Sequence, residues 1–359
     1  MPKFLHVVGA RPNFMKVAPV YRALAAKPGT EQVMVHTGQH YDFNMSDVFF
    51  QQLRLPAPDI NLKVGSGSHA QQTAEIMMRF ESVVLEQKPD CVLVYGDVNG
   101  TAAAALVCSK LHVRVARVEA GLRSGDRRMP EEINRIVTDG LSDLLFTPSV
   151  DGNENLAREG AASSRIHFVG NVMIDTLIDM LPVARAAALP DLPERYILVT
   201  LHRPSNVDDL PWLAEMMKVL AEIGKACPVL FPVHPRTRER LGNSGLATAK
   251  GASLRLLDPA PYVEFLAMQM RATAVITDSG GIQEETTYLG VPCLTMRENT
   301  ERPITTTIGT NVLIGRDLSR MQTELERVLK GNKPAAETPP LWDGKAGERI
   351  AEVLGRPSA

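Results

Sequence analysis

Residues 91–121, CVLVYGDVNGTAAAALVCSKLHVRVARVEAG, decide the fold. Cys91-Val92-Leu93-Val94-Tyr95 is an unbroken apolar run of strand length, and it stops at Gly96-Asp97. Thr101 to Leu111 is alanine-rich and reads as a helix. Val113 to Val118 is the next strand, and it too stops at a carboxylate, in Glu119-Ala120-Gly121. Strands without polar alternation are covered on both faces. Joined by helices, they make a parallel, doubly wound sheet.

The same punctuation extends in both directions. Upstream, Phe4 to Val8 is a strand ending at Gly9, Ala18 to Ala26 has helical spacing, and Gln32 to His36 is a strand. Downstream, Leu144-Leu145-Phe146 closes the first set. After Gly170-Asn171 the pattern restarts with Tyr196–Thr200 ending at His202, Pro228–Val233 ending at His234, and Leu254–Leu257 before Asp258. Ala274–Thr277 before Asp278, Pro292–Thr295, and Asn311–Ile314 before Gly315 complete the second set. We therefore expect two α/β domains with parallel sheets. A boundary falls near 171–190, where Pro182, Pro190 and Pro193 stand among alanines, and a last helix spans Gly347 to Leu354.

Composition narrows the function classes. The chain has 359 residues, 44% hydrophobic and 22% charged, with a net charge of -2, so no overall field attracts nucleic acid or an anionic membrane. No apolar run reaches the ~20 residues of a membrane span. Residues 1–16 lack the apolar core of a signal peptide. Cys91, Cys108, Cys227 and Cys293 show no paired spacing and sit beside apolar residues. They read as buried thiols of a reducing compartment, so a cytoplasmic location without a metal is expected.

The polar residues of interest share one position in the pattern. Arg11, Asp97, Glu119, His202, His234 and Ser279 all stand at or just after the C-terminal end of a strand, the edge where open α/β sheets bind ligands. Asp278-Ser279-Gly280-Gly281-Ile282-Gln283-Glu284-Glu285 follows a strand and opens a helix. Ser279 suits an N-cap, Gly280 and Gly281 permit close backbone approach, and the helix start favours a phosphate. Glu284 and Glu285 fall where a carboxylate can accept from ribose hydroxyls. The bland reading is an ordinary capped helix start.

Gly9-Ala10-Arg11-Pro12-Asn13-Phe14-Met15-Lys16 offers two cations after the first strand, or simply a solvated basic turn. Pro130-Glu131-Glu132-Ile133-Asn134-Arg135 looks like a helix start, in which Glu131 and Arg135 have the spacing of a surface ion pair. Asp97 and Glu119 fit that reading less well, because each follows a buried strand. Carboxylates gathered in one cleft push their pKa values apart, as acid/base chemistry needs. His202-Arg203 and His234-Pro235-Arg236 lack metal-site spacing. In the loop 297–303, Arg302 is placed to meet a phosphate. Neither a dinucleotide fingerprint nor a P-loop is present.

Together these motifs resemble the non-hydrolysing UDP-N-acetylglucosamine 2-epimerases. Thr37-Gly38-Gln39-His40, Val118–Arg123, Met296-Arg297, Thr300–Pro303 and Trp342–Ala346 fit as well, so the likeness runs in order along nearly the whole chain. The resemblance implies a glycosyltransferase-B-like fold of two Rossmann-like domains with the active site in the interdomain cleft. It implies an N-terminal domain of 1–172 joined by the C-terminal helix 345–359, and a UDP-binding domain of 173–344. It also implies a homodimer, a UDP-sugar substrate and no cofactor.

The chemistry so implied is UDP elimination across C1–C2 to 2-acetamidoglucal, then re-addition with C2 protonated on the other face. By resemblance Asp97, Glu119 and Glu131 are the acid/base group and His202 assists the leaving group. Arg11, His234, Ser279, Gly280, Gly281, Glu285 and Arg302 hold UDP, with Lys16 near the diphosphate. The alternatives are a 2-epimerase of a modified UDP-sugar such as a 2,3-diacetamido-glucuronate, a glycosyltransferase of the same fold, a hydrolysing epimerase, or a non-catalytic sensor. The three acidic residues favour an isomerase over transfer to an acceptor.

Two segments depart from the resemblance. Many bacterial members read a second, activating UDP-N-acetylglucosamine with basic residues that Gln39-His40-Tyr41-Asp42 and His202-Arg203-Pro204-Ser205 each lack in part. Activation by that sugar is therefore expected to be weak or absent. Rate curves started from UDP-N-acetylmannosamine check this, and a strict need for added UDP-N-acetylglucosamine would refute it.

Overall fold

The computed structural model describes residues 1–38, 50, 52–189, 192–233, 235–243, 253–332 and 337–356, with only the backbone of Arg11, Pro235, Arg236 and Asn243. The chain divides into two compact units, Met1–Thr176 with Pro340–Ala359, and Leu177–Pro339.

The first unit runs β1 (Lys3–Val8), α1 (Arg11–Ala25), β2 (Glu31–His36), β3 (Ile60–Asn61), α2 (His69–Gln87), β4 (Cys91–Tyr95), α3 (Asn99–Lys110) and β5 (Arg114–Val118). It continues through α4 (Pro130–Leu141), β6 (Leu144–Thr147), α5 (Val150–Arg158) and β7 (Ile166–Phe168) to α6 (Val172–Ala186), which carries the chain across the division. Among the described residues its strands form one sheet ordered β3-β2-β1-β4-β5-β6-β7. Every pairing in that sheet is parallel.

The second unit holds β8 (Ile197–Thr200), α7 (Pro204–Val207), α8 (Leu210–Gly224), β9 (Val229–Pro232), α9 (Pro235–Asn243), β10 (Leu254–Leu257) and α10 (Tyr262–Arg271). Then come β11 (Ala274–Thr277), α11 (Gly280–Leu289), β12 (Cys293–Thr295), α12 (Ile304–Thr307), β13 (Asn311–Leu313) and α13 (Leu318–Leu329). The strands are ordered β10-β9-β8-β11-β12-β13, again all parallel.

The order reverses between β1 and β4 in one sheet and between β8 and β11 in the other. Neighbouring crossovers leave toward opposite faces there, which opens a crevice at the carboxyl ends of the strands.

The cores follow from the apolar runs. Leu5, Val7, Val92, Val94 and Val115 are buried under α2 and α3, and Ile197, Val199, Phe231 and Ile276 do the same in the second unit. The four cysteines are free and buried, and burial pushes the Cys91 thiol up to about 12. No described helix is long and apolar enough to cross a membrane.

The last helix, α14 (Ala346–Leu354), belongs to the first unit. Asp175 accepts from the Ala346 and Gly347 amides at 3.2 and 2.8 Å, and the Trp342 indole donates to Pro148 O at 3.0 Å. Gly347 lies against Pro19 of α1, where a Cβ would come within 2.7 Å of backbone.

Two expectations about elements need correcting. Helix α1 begins at Arg11 and not at Ala18, so the supposed basic turn is the helix's first turn. Pro12 presets that turn, and Asn13 Oδ1 accepts from the Gly9 and Ala10 amides at 3.1 and 2.9 Å. The edge strands β3 and β7 went unpredicted, because two and three half-buried residues carry no periodicity.

The sheet also buries a histidine. His6 Nδ1 lies 2.7 Å from the Tyr95 hydroxyl and Nε2 lies 2.9 Å from Gln32 Oε1. Burial lowers its pKa from 6.5 to about 4, against the opposing bond to Gln32. Between those values the unfolded chain holds a proton that the folded one does not, so stability is lost as pH falls from about 6.5. By pH 5 the loss amounts to about 2 kcal/mol. Urea midpoints from pH 7.5 to 5 should show His6→Asn less stable at the upper end, with a slope shallower by that amount.

Candidate active site

At the first switch point Asn13 joins two strand ends. Beyond its bonds to the β1 end, its Nδ2 donates to Tyr95 O of β4 at 2.9 Å. One turn further along α1, buried Lys16 forms a close ion pair with Glu119. Gly96 makes this possible: its φ is +65°, and a Cβ there would stand 2.8 Å from Asn13 Nδ2 and 3.3 Å from Lys16 Nζ.

Glu119 itself has φ +70° at the end of β5. A left-handed backbone at a non-glycine residue costs on the order of 1–3 kcal/mol and persists only where the surroundings enforce it. Here Lys16 holds the side chain, the Ala120 amide donates to Phe146 O at 2.8 Å, and the Gly121 amide donates to Asp139 Oδ2 at 3.0 Å. Gly121, at φ +81°, passes too close to Gly152 O for any side chain.

Asp97 follows β4 with its carboxylate 34% exposed and 3.3 Å from the Arg135 guanidinium. Asn134 Nδ2 donates to the Asp97 carbonyl at 2.9 Å. Arg117, buried in β5, donates to Gly96 O, to Val118 O at 3.1 Å and to Asp139 at 3.3 Å. The Asp97 turn is thus fixed from β5 and from α4.

Helix α4 starts at Pro130 as expected, with Glu131 exposed in its first turn. Arg135 is buried and pairs with Asp97 and with Glu132 at 3.1 Å, which does not bear out the bland alternative of a Glu131–Arg135 surface pair. Glu132 also accepts from the Ser124 and Gly125 amides, at 3.0 and 2.9 Å.

At the second switch point, Asp278 is the fully buried hub. Its carboxylate accepts from the His202 and Arg203 amides at 3.1 and 3.0 Å and from Asn206 Nδ2 at 3.0 Å. His202 Nδ1 lies 3.1 Å from Asp278 Oδ1, and that imidazole is 42% exposed. Burial alone would raise the Asp278 pKa, but the bonds from His202, Asn206 and the Arg203 amide outweigh it and hold the group below the usual carboxylate range.

Ser279 occupies the N-cap position of α11, yet its hydroxyl makes no capping bond; its amide donates to Thr277 Oγ1 at 3.0 Å. A Cβ on Gly280 would stand 2.5 Å from Arg302 Nη1 and 2.7 Å from Glu301 Oε1. That glycine therefore makes room for a protein ion pair. Arg302 is buried and held by Glu284 at 2.9 Å and by Glu301, which also pairs with Arg297 at 2.6 Å. Arg302 thus meets two carboxylates in this structure. Gly281 lies in the first turn of α11, and Glu285 accepts from Tyr262 OH and Gln269 Nε2 at 3.0 and 2.6 Å. His234, Gln39, His40, Tyr41 and Asp42 lie outside the described residues, as does the Arg11 side chain.

Sequence reading missed Arg117, Asp139 and Asp278 as supports of this chemistry. A visible signal existed for one of them: a lone arginine inside Val115-Ala116-Arg117-Val118 must find a buried partner. Among the described residues no cluster of three His, Cys, Asp or Glu side chains is arranged to hold a metal ion.

Comparison with known proteins names this arrangement. A family model for UDP-N-acetylglucosamine 2-epimerase matches residues 22–355. A UDP-N-acetylglucosamine 2-epimerase of Methanococcus maripaludis is 40% identical, over 97% of each chain. A UDP-2,3-diacetamido-2,3-dideoxy-D-glucuronate 2-epimerase of Pseudomonas aeruginosa is 42% identical, over 99% of each. The solved structure of the Methanocaldococcus jannaschii UDP-GlcNAc 2-epimerase, in complex with UDP-GlcNAc and UDP, superposes with a TM-score of 0.90 at 40% identity, covering 98% of this chain and 99% of that one. Sheet topology, residues at the strand ends and end-to-end likeness agree: the chain is an isomerase and belongs to the UDP-N-acetylglucosamine 2-epimerase family.

Proposed function

We propose that the protein interconverts UDP-N-acetylglucosamine and UDP-N-acetylmannosamine without hydrolysis. The observation that carries this reading is the likeness, over nearly the whole of both chains, to an epimerase whose structure holds UDP-GlcNAc and UDP. The hydrogen on C2 has no neighbouring carbonyl to acidify it. The reaction therefore proceeds by breaking the C1–O bond, with the electron pair leaving on UDP, and by removing the C2 proton to give 2-acetamidoglucal. UDP then adds back at C1 while C2 takes a proton on the opposite face.

The first unit supplies the acid/base group, Asp97, Glu119 and Glu131. The second supplies the UDP handle at Ser279, Gly280 and Gly281, with Glu285 for the ribose and His202 beside the leaving diphosphate. Arg11, Lys16, His234 and Arg302 complete the binding set. The uncapped start of α11 supports the handle, since amides without a side-chain acceptor suit an anionic oxygen. Preorganised cations and amides on the departing diphosphate provide the electrostatic part of catalysis. Four buried free thiols agree with a reducing cytoplasm, and a homodimer is the assembly we infer.

A second reading has its own support. The relative acting on a diacetamido-glucuronate is as similar as those acting on UDP-N-acetylglucosamine, so a decorated sugar is the alternative substrate. Incubation of each UDP-sugar in deuterated water separates these readings. Deuterium at C2 of UDP-N-acetylglucosamine, with no acceptor present, is the expected result. Exchange confined to the diacetamido-uronate selects the second reading, and exchange in neither ends the isomerase assignment. In the same assay Glu119→Gln should lower kcat by ~10²–10⁴-fold, the usual contribution of one positioned acid or base. Calorimetry should still find UDP bound, since Ser279, Gly280 and Gly281 are untouched.

A further inference from the structure

Asp278 does more than close the β8–α7 turn, and its bonding shows why. The Oδ2 side meets three donors: the amides of His202 and Arg203 and the Asn206 side chain, at 3.1, 3.0 and 3.0 Å. The Oδ1 side meets the His202 amide at 3.2 Å and the His202 ring Nδ1 at 3.1 Å. An ionised carboxylate only accepts hydrogen bonds, so the ring nitrogen facing it must carry a proton. The chain leaves Asp278 directly into Ser279 and Gly280, the start of α11. One buried side chain therefore sets the protonation of His202 while its own backbone leads into the phosphate handle.

We propose that Asp278 is a positioning residue for the reaction. It commits His202 to an Nδ1–H and fixes the ring, so that Nε2 is the edge turned to the departing diphosphate. This rests on the reading that His202 stands beside the leaving group. When the C1–O bond breaks, negative charge grows on the diphosphate oxygen, and a ring held by a buried carboxylate stays oriented to meet it. The same logic governs the aspartate of a Ser-His-Asp triad, which orients its histidine and stabilises the charged ring without taking the proton.

Asp278→Asn tests this with almost no change of shape. An amide has one acceptor and one donor end. The three donors on the Oδ2 side claim the amide oxygen, which turns the NH₂ toward Nδ1 and forces that nitrogen to accept. The expected result is a fall in kcat of ~10²–10⁴-fold with KM nearly unchanged. His202 ring ¹⁵N shifts should move from a protonated to a bare Nδ1. His202→Asn should lose as much, and Asp278→Asn added to it should cost little more.

Wild-type kcat in Asp278→Asn overturns the proposal. So does an equal loss on the His202→Asn background, which would put the effect on Arg203 or Asn206. Unchanged ring shifts overturn it independently of any turnover, so failure of the epimerase reading stays distinguishable. Should Asp278→Asn fail to fold, a bare Nδ1 on His202 in the unmodified protein refutes the proposal directly, and a protonated one supports it.

Discussion

A charge taken out of water must be met by an opposite charge or by several donors, and both sheet edges are organised around that requirement. Lys16 answers Glu119, Arg117 and Arg123 answer Asp139, Arg135 answers Asp97 and Glu132, and Arg302 answers Glu284 and Glu301. Asp278 is answered by two amides, an asparagine and a histidine. Removing one member of such a set costs about 3–5 kcal/mol, because its partner stays buried and uncompensated. The sets are thus poor ornaments for stability but effective clamps, since few arrangements satisfy every member.

The clamps explain how the candidate acid/base residues are held at strand ends. Asp97 lies in a turn held by Asn13 through Tyr95 O, by Arg117 through Gly96 O and by Asn134 through its own carbonyl. Glu119 carries a left-handed backbone, held by Lys16 on its side chain and by the bonded amides of Ala120 and Gly121 after it. Carboxylates fixed this firmly need little reorganisation as charge moves in a transition state, which is the main advantage of a preorganised site.

Much of this was legible in the sequence, for a physical reason. Apolar runs ended by a glycine or a carboxylate mark buried parallel strands and their carboxyl edges, so the strand-end positions of Asp97, Glu119, His202 and Ser279 are readable from the sequence. What escaped was whatever depends on distant partners. Nothing local says that Arg135 turns from Glu131 toward Asp97, or that the Ser279 hydroxyl leaves its helix uncapped. Nor does anything local say that Arg302, expected to meet a phosphate, also packs against Glu284 and Glu301. Helix α1 was begun late because its first turn, Arg11 to Phe14, holds a proline and an asparagine, poor formers in a helix interior but well suited to a start.

Gly280 has a structural reason to be small that its sequence context does not reveal. Close approach of a ligand to its amide would by itself require a small side chain. The fold requires it already, because the Arg302–Glu301 pair fills the space a Cβ would take. The proposed nucleotide handle and the ion pairs beside it are then one piece of structure, and a substitution at Gly280 disturbs both together. Asp278 stands in the same relation to His202. In the second unit, therefore, the buried polar network and the candidate binding surface cannot be varied separately, because Asp278, Gly280, Glu301 and Arg302 belong to both.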